Sequence, residues 1–258
     1  MSQAFRPFLE HLVPELGKVA KARFGDPGTV EYKFPGNPVT EVDREIESLA
    51  VQAILKEFPG HAIRGEETGH TPGKDAYEWH IDPIDGTMNF VRGVPFFSVS
   101  LGVTHGNEIV AGAVLDPLRG ELFVADGTVA TLNENPIQVS PAKTISEAAV
   151  SLQTSSRGVI FEKPDFMKLV HRRVQKTRKL GSIALELAYV SCGRLDLLVA
   201  AKGSPQAWWD IAGGWALVTA AGGVVTDIHK QALTPKAMNL LAGPAELVEG
   251  FHDLYNNA

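Results

Sequence analysis

The sequence predicts a mixed α/β (α+β) protein in two halves, 1–140 and 141–258. Three observations predict it. Residues 41–58 carry apolar positions at helical spacing, residues 96–125 read as consecutive strands between turns, and helical and strand-like segments alternate after Ser146. A chain of 258 residues suits one large domain or two small halves sharing an interface, and is long enough for a sizeable core.

In order along the chain, residues 5–24 read as a helix, with Pro7 and Pro14 blurring its start. Residues 25–39, rich in Gly and Pro, read as a loop. The helix at 41–58 places Ile46, Leu49, Ala50, Ala53, Ile54 and Phe58 at three- and four-residue steps, and Phe58-Pro59-Gly60 ends it. Short strands at His61–Arg64 and Glu78–Ile81 lead into acidic turns, and strands follow at 96–104, 108–115 and 121–125. A connector at 133–141 separates the halves. Beyond it come a helix at 163–174, a helix at 182–192, a strand at 195–200, a helix at 209–221 and a strand at 223–227.

Composition narrows the function class. The net charge is −6, from 24 basic and 30 acidic residues, which argues against nucleic acid as the main partner. The longest apolar stretch, Ile211 to Val225, holds four glycines and falls short of the about 20 residues a bilayer span needs. No signal-type apolar region opens the chain, and a single cysteine, Cys192, excludes an intrachain disulfide. The expectation is a cytoplasmic protein with no membrane partner.

The most informative segment is Asp82-Pro83-Ile84-Asp85-Gly86-Thr87. Two carboxylates stand three residues apart at the end of a strand, with a proline between them that restricts the backbone and donates nothing. Such a turn can aim two acids and the intervening carbonyl at one point, the oxygen set that hard cations such as Mg²⁺ require. Asp85-Gly86-Thr87 also suits a helix start, whose amides bind phosphate. Taken as a bare pair of acids three residues apart, the pattern reads first as a capped strand–turn–helix junction.

Other acidic segments are weaker alone. Gly65-Glu66-Glu67 reads as a solvated loop, and Asp210 in Trp209-Asp210-Ile211-Ala212-Gly213-Gly214 reads as a helix N-cap. Thr40-Glu41-Val42-Asp43 matches a capping box, with the competing reading that Asp43 orients a hydroxyl or water. His80 reads as a strand residue facing away from Asp82, Cys192 as a buried helix residue, and 176–179 as a solvated basic patch.

Taken together and in order, these segments resemble the inositol monophosphatase family. The resemblance runs from Asn37-Pro38-Val39-Thr40-Glu41-Val42-Asp43 through Gly65-Glu66-Glu67-Thr68 and Asp82–Phe90 to Gly181-Ser182-Ile183-Ala184 and Trp209–Gly214. It implies a layered α-β-α-β-α sandwich, usually as a homodimer, and lithium-sensitive, Mg²⁺-dependent hydrolysis of a small phosphorylated substrate. Two to three Mg²⁺ ions are implied. Glu66, Asp82 and the Ile84 carbonyl would hold the first; Asp82, Asp85 and Asp210 the second; Glu66 would help a weaker third. Asp43 and Thr87 would polarise the attacking water. Asp85, Gly86, Thr87, Gly181, Ser182, Ile183 and Asp210 would contact substrate, and Lys33 would sit in a loop over the site.

The chain departs from the family pattern at two places. Met88 stands where many members have Thr or Lys. Gly203 stands seven residues before Asp210, where inositol-specific members carry a Glu that binds sugar hydroxyls. The substrate therefore stays open: inositol 1-phosphate by default, or fructose 1,6-bisphosphate, histidinol phosphate or 3′-phosphoadenosine 5′-phosphate, with Lys202, Gln206 and Trp208 as alternative contacts. A non-catalytic binding or regulatory protein on the same fold is the other class. Retention of Glu66, Asp82, Asp85, Thr87, Asp210 and Asp43 favours the enzyme.

Overall fold

A computed structural model describes residues 5–154, 166–201, 207–234, 237 and 239–257. Helix α1 (Phe5–Arg23) runs as expected. Pro7 falls in the first turn, where no intrahelical donor is needed, and Pro14 is carried inside the helix. Residues 25–39 are not simply a loop. They contain a hairpin of β1 (Val30–Phe34) and β2 (Asn37–Thr40), closed at Pro35-Gly36, with Gly36 in the left-handed region that a tight turn requires. Helix α2 (Glu41–Glu57) starts on a full capping box at Thr40 and Asp43.

The first half then builds β3 (Ala62–Gly65), β4 (Gly69–Thr71), β5 (Tyr77–Asp85), α3 (Thr87–Arg92), β6 (Ser98–His105), β7 (Glu108–Asp116), β8 (Glu121–Ala125), β9 (Ala130–Leu132) and β10 (Asn135–Pro136). These strands form one eight-stranded sheet in the order β10-β9-β8-β7-β6-β5-β3-β4. It is antiparallel except where β3 lies parallel to β5.

After a 3₁₀ turn (Ile145–Glu147), the chain forms β11 (Ala149–Thr154), α4 (Phe166–Arg173), β12 (Lys176–Arg178), α5 (Ile183–Ser191), β13 (Leu197–Ala201), α6 (Trp208–Ala220), β14 (Val224–Thr226), β15 (Asn239–Gly243) and α7 (Ala245–Asn256). The five strands order as β12-β11-β13-β15-β14. The basic segment 176–179 is thus mostly an edge strand, with Lys176, Arg178 and Lys179 exposed. Cys192 is not inside α5 but caps its C-terminus, half-buried.

The layers are α1 and α2, the eight-stranded sheet, α5 and α6, the five-stranded sheet, then α4 and α7, which matches the layered α-β-α-β-α architecture. Burial explains the order. Leu9, Val13, Leu16, Ile46 and Ile54 cover one sheet face with Trp79, Ile81 and Leu101, while Phe166, Leu247 and Phe251 cover the outer face of the second sheet. Between the sheets, α6 crosses the first one at close range. A Cβ on Gly213 would stand 2.6 Å from Ser100 Oγ and 2.9 Å from the Leu101 carbonyl. That contact presses the start of α6 against β6 and β7 and brings Asp210 into the cavity lined by the sheet's acids. No helix among the described residues is long and apolar enough to cross a membrane.

Candidate active site

Glu66 and Asp82 meet because β3 and β5 run parallel with Gly65 opposite Ile81, and the Glu66 amide donates to the Ile81 carbonyl at 3.2 Å. The β5–β6 ladder is irregular between Asp82 and Asp85, so the Pro83-Ile84 bend breaks strand alternation and leaves both acids buried. Gly86 follows at φ +97 as the N-cap of α3. Asp210 is not the N-cap of α6: Ala207 is, and Asp210 lies in the first turn.

These residues share one cavity of about 420 Å³. Glu66, Asp82, Ile84, Asp85, Gly86, Thr87 and Asp210 line it together with Phe34, Gly36, Asn37, Pro38, Met88, Ala207 and Trp209. Asp43 is not in the lining. It is fully buried behind Thr87, whose hydroxyl reaches the Ile84 carbonyl at 3.0 Å and Asp43 Oδ1 at 3.4 Å. Thr87 has one proton and two acceptors in reach. The other Asp43 oxygen accepts from the Thr40 amide at 2.8 Å and the Thr40 hydroxyl, so the capping box forms and Oδ1 is left facing the Thr87 hydroxyl.

Ser182 and Ile183 are buried beside the cavity rather than along its lining. Ser182 Oγ donates to Asp85 Oδ2 at 2.6 Å, and the Ala184 amide donates to the same oxygen at 2.7 Å. Gly181 is exposed, and its carbonyl stands 3.1 Å from where a Cβ on Gly86 would be. Lys33, on the hairpin, reaches Glu66 at 3.0 Å and Glu67 at 2.7 Å. Gly203, Lys202 and Gln206 lie outside the described residues. Trp208 is a packed core residue, with its ring 5.4 Å from His80 and 5.7 Å from Trp215.

The acids perturb one another. Burial pushes Glu66 up to about 7, with Asp210 adding to the rise and Lys33 opposing it. Asp82 is driven well above the ordinary carboxylate range by burial first, then by Glu66, Asp85 and Asp210. Asp43 is pushed up to about 6 by burial, against the hydrogen bonds from Thr40. Asp82 Oδ1 is buried with no hydrogen-bond partner. Among the described residues, no three acids or imidazoles already close into a metal cage.

His80 does not face away from Asp82. The two pair with Gly102 and Ser100 on a regular stretch of β5 and β6, and so lie on the face toward α6. His80 Nε2 meets Thr104 Oγ1 at 3.1 Å, and burial holds its imidazole down to about 3.

Three positioning residues are absent from the sequence reading. Glu47 on α2 accepts from the Glu67 amide at 2.9 Å and the Thr68 amide at 2.6 Å, fixing the Glu66 turn. Its signal is its place four residues after Asp43 on the apolar face of the helix. Asn89 donates to the Phe96 and Leu180 carbonyls at 2.7 and 2.8 Å. Glu186 gathers donors behind Gly181.

Comparison with known proteins agrees with this geometry. The family model described as "Inositol monophosphatase family" matches residues 2–257. The chain is 34% identical over 244 residues to inositol monophosphatase 3 of Solanum lycopersicum, covering 91% of this chain and 90% of that one. It is 37% identical over 218 residues to a fructose-1,6-bisphosphatase/inositol-1-monophosphatase of Thermotoga maritima, covering 84% and 82%. The crystal structure of the extragenic suppressor protein suhB from Bartonella henselae superposes with a TM-score of 0.88 at 27% identity, covering 98% of each chain. The chain belongs to the inositol monophosphatase family and is a phosphoric monoester hydrolase.

Proposed function

We propose that the chain hydrolyses a small phosphate monoester in a Mg²⁺-dependent reaction, with inositol 1-phosphate as the default substrate. The observation that carries this is Asp82 Oδ1, buried without a partner where Glu66, Asp85 and Asp210 raise its proton affinity. Isolated buried charge of this kind is costly, and a cation relieves it. Every donor here is oxygen, the ligand type that Mg²⁺ takes. Mg²⁺ keeps several waters in its shell, so a ready-made protein cage is not required.

In this reading Glu66, Asp82 and the Ile84 carbonyl hold one ion, Asp82, Asp85 and Asp210 a second, and Glu66 contributes to a third. Bound there, the ions would offset the charge of the phosphate and lower the pKa of a bound water. The chain's own residues do the rest. Asp43 Oδ1, 3.4 Å from the Thr87 hydroxyl, takes its proton as that hydroxyl takes one from the attacking water. The amides of Gly86 and Thr87, with the Gly181–Ile183 segment beside them, orient the phosphate. Residues 1–140 then form a half carrying Asp43 and most of the ion ligands, and residues 141–258 supply Asp210 and the Gly181–Ile183 segment. We read the assembly as a homodimer, which light scattering tests.

A second reading of the substrate has its own support. Phe34, Pro38, Met88, Ala207 and Trp209 give the cavity an apolar wall, which suits a planar leaving group such as that of histidinol phosphate or 3′-phosphoadenosine 5′-phosphate. Phosphate release over a Mg²⁺ series with an EDTA control separates the readings. The panel holds inositol 1-phosphate, fructose 1,6-bisphosphate, histidinol phosphate and 3′-phosphoadenosine 5′-phosphate. The best substrate identifies the leaving group, and no Mg²⁺-dependent release from any of the four removes the proposal.

A further inference from the structure

Glu186 is fully buried on α5 and takes no part in the proton transfers described above. A carboxylate is acceptor-only, and this one meets four donors. Oε1 accepts from the Leu180 amide at 3.1 Å, the Gly181 amide at 2.9 Å and Gln153 Nε2, while Oε2 accepts from Ser151 Oγ. The acid thus ties β11 to the turn ahead of α5. The opposite side of the same turn is tied to α3, because Asn89 donates to the Leu180 carbonyl at 2.8 Å. One residue further along, Ser182 Oγ and the Ala184 amide both hold Asp85 Oδ2. Gly181 itself stands in the left-handed region at φ +90, a conformation that its two anchored neighbours keep in place.

We propose that Glu186 is a positioning residue that fixes the Leu180–Ser182 turn and, through it, the orientation of the Asp85 carboxylate toward the cation site. This rests on the reading of Asp85 as an ion ligand. The two oxygens of Glu186 divide the work unequally. Three donors converge on Oε1, so a Gln side chain with its carbonyl oxygen there keeps all three. The Gln amide group then faces Ser151, whose hydroxyl accepts as readily as it donates. The geometry, not the charge, is what the turn needs. Burial pushes the Glu186 acid up to about 7, against the Gly181 amide and Gln153, and Oε1 can accept from the two amides in either protonation state.

Mn²⁺ binding followed by electron paramagnetic resonance tests this without turnover. Glu186→Leu leaves the Leu180 and Gly181 amides without their acceptor, and its Mn²⁺ affinity is expected to fall roughly 10- to 100-fold, the range for supporting residues around metal ligands. Glu186→Gln is expected to restore affinity to within about threefold of wild type. Ser182→Ala removes the last link directly, and combining it with Glu186→Leu is expected to weaken binding by less than the product of the two single effects. Glu186→Leu binding Mn²⁺ like the wild type, with only its melting temperature lowered, would overturn the positioning role. Failure of Glu186→Gln to restore affinity would overturn the geometric form of it. Wild-type protein that binds no Mn²⁺ would instead remove the cation reading on which the inference stands.

Discussion

Ser182 Oγ donates to Asp85 Oδ2 at 2.6 Å across 97 positions of sequence. The bond joins the turn before α5 to the end of β5, so the second half of the chain helps orient an acid of the first. Hydrogen bonds to a charged acceptor contribute about 1.5–3 kcal/mol, so Ser182→Ala is expected to raise the Mg²⁺ concentration for half-maximal turnover roughly tenfold. An unchanged half-saturation would show that the Ala184 amide alone fixes Asp85.

Asp82→Asn should separate stability from function. The acid is fully enclosed, and burial first, then the carboxylates of Glu66, Asp85, Asp210 and Asp43, act against its charge. In EDTA the neutral, similarly shaped Asn is expected to raise the melting temperature by roughly 2–4 °C, about 1 kcal/mol for a chain of this size. Scanning fluorimetry of both proteins in EDTA checks this. A variant that melts lower would mean that Asp82 is held by partners the apo geometry does not reveal.

The pH dependence of the metal-free protein has a definite sign. Asp43, Glu66 and Glu186 rise from 3.8, 4.5 and 4.5 to about 6, about 7 and about 7, and Asp82 is raised as well, by burial first. Each folded-state group holds its proton more tightly than the unfolded chain does. Their contribution to stability is therefore fully present below about pH 4 and lost as pH climbs through 6 to 7 and beyond. Melting in EDTA should fall between pH 5.5 and pH 8, and Mg²⁺ should shrink that fall. A melting temperature that rises over this interval would contradict the assignment of the raised acids.

Thr87→Ala removes the hydroxyl between Asp43 and the cavity without touching a carboxylate. Turnover is expected to drop by about 10²–10⁴, the usual range for general-base assistance, while Mn²⁺ affinity stays near the wild-type value. Loss of both together would place Thr87 among the groups that hold the ion.

Glu47→Ala orphans the Glu67 and Thr68 amides, at about 1–3 kcal/mol for donors left unsatisfied. Urea denaturation should show that loss. Equal stability would mean that water replaces the carboxylate.

The site was legible where the chemistry lies close in sequence. Asp82, Asp85 and Thr87 sit within six residues, and Glu66 and Asp210 stand beside glycines or aromatics that mark turns and helix starts. What holds them was not legible. Glu186 acts on Leu180 and Gly181 only because α5 folds back beside its own leading turn, and Asn89 acts on a carbonyl 91 positions away. Nothing in local spacing distinguishes such residues from solvated ones. Two features were within reach. Pro35-Gly36 marks a turn between the strands of the β1–β2 hairpin, and Leu247, Val248, Phe251 and Tyr255 bear the helical spacing of α7. The expectation that His80 faces away from Asp82 fails because β5 stays regular up to Asp82, and alternation then puts both on one face. The expectation of Asp210 as an N-cap fails because α6 begins at Trp208 with Ala207 as its cap, which puts Asp210 inside the first turn.

The most direct measurement is phosphate release by wild-type protein and Asp82→Asn across a Mg²⁺ series, with the four-substrate panel and EDTA controls. The account predicts wild-type turnover that requires Mg²⁺ and is absent in EDTA, and no turnover from Asp82→Asn at any Mg²⁺ concentration. Wild-type release that persists undiminished in EDTA, or near-normal rates from Asp82→Asn, would contradict it.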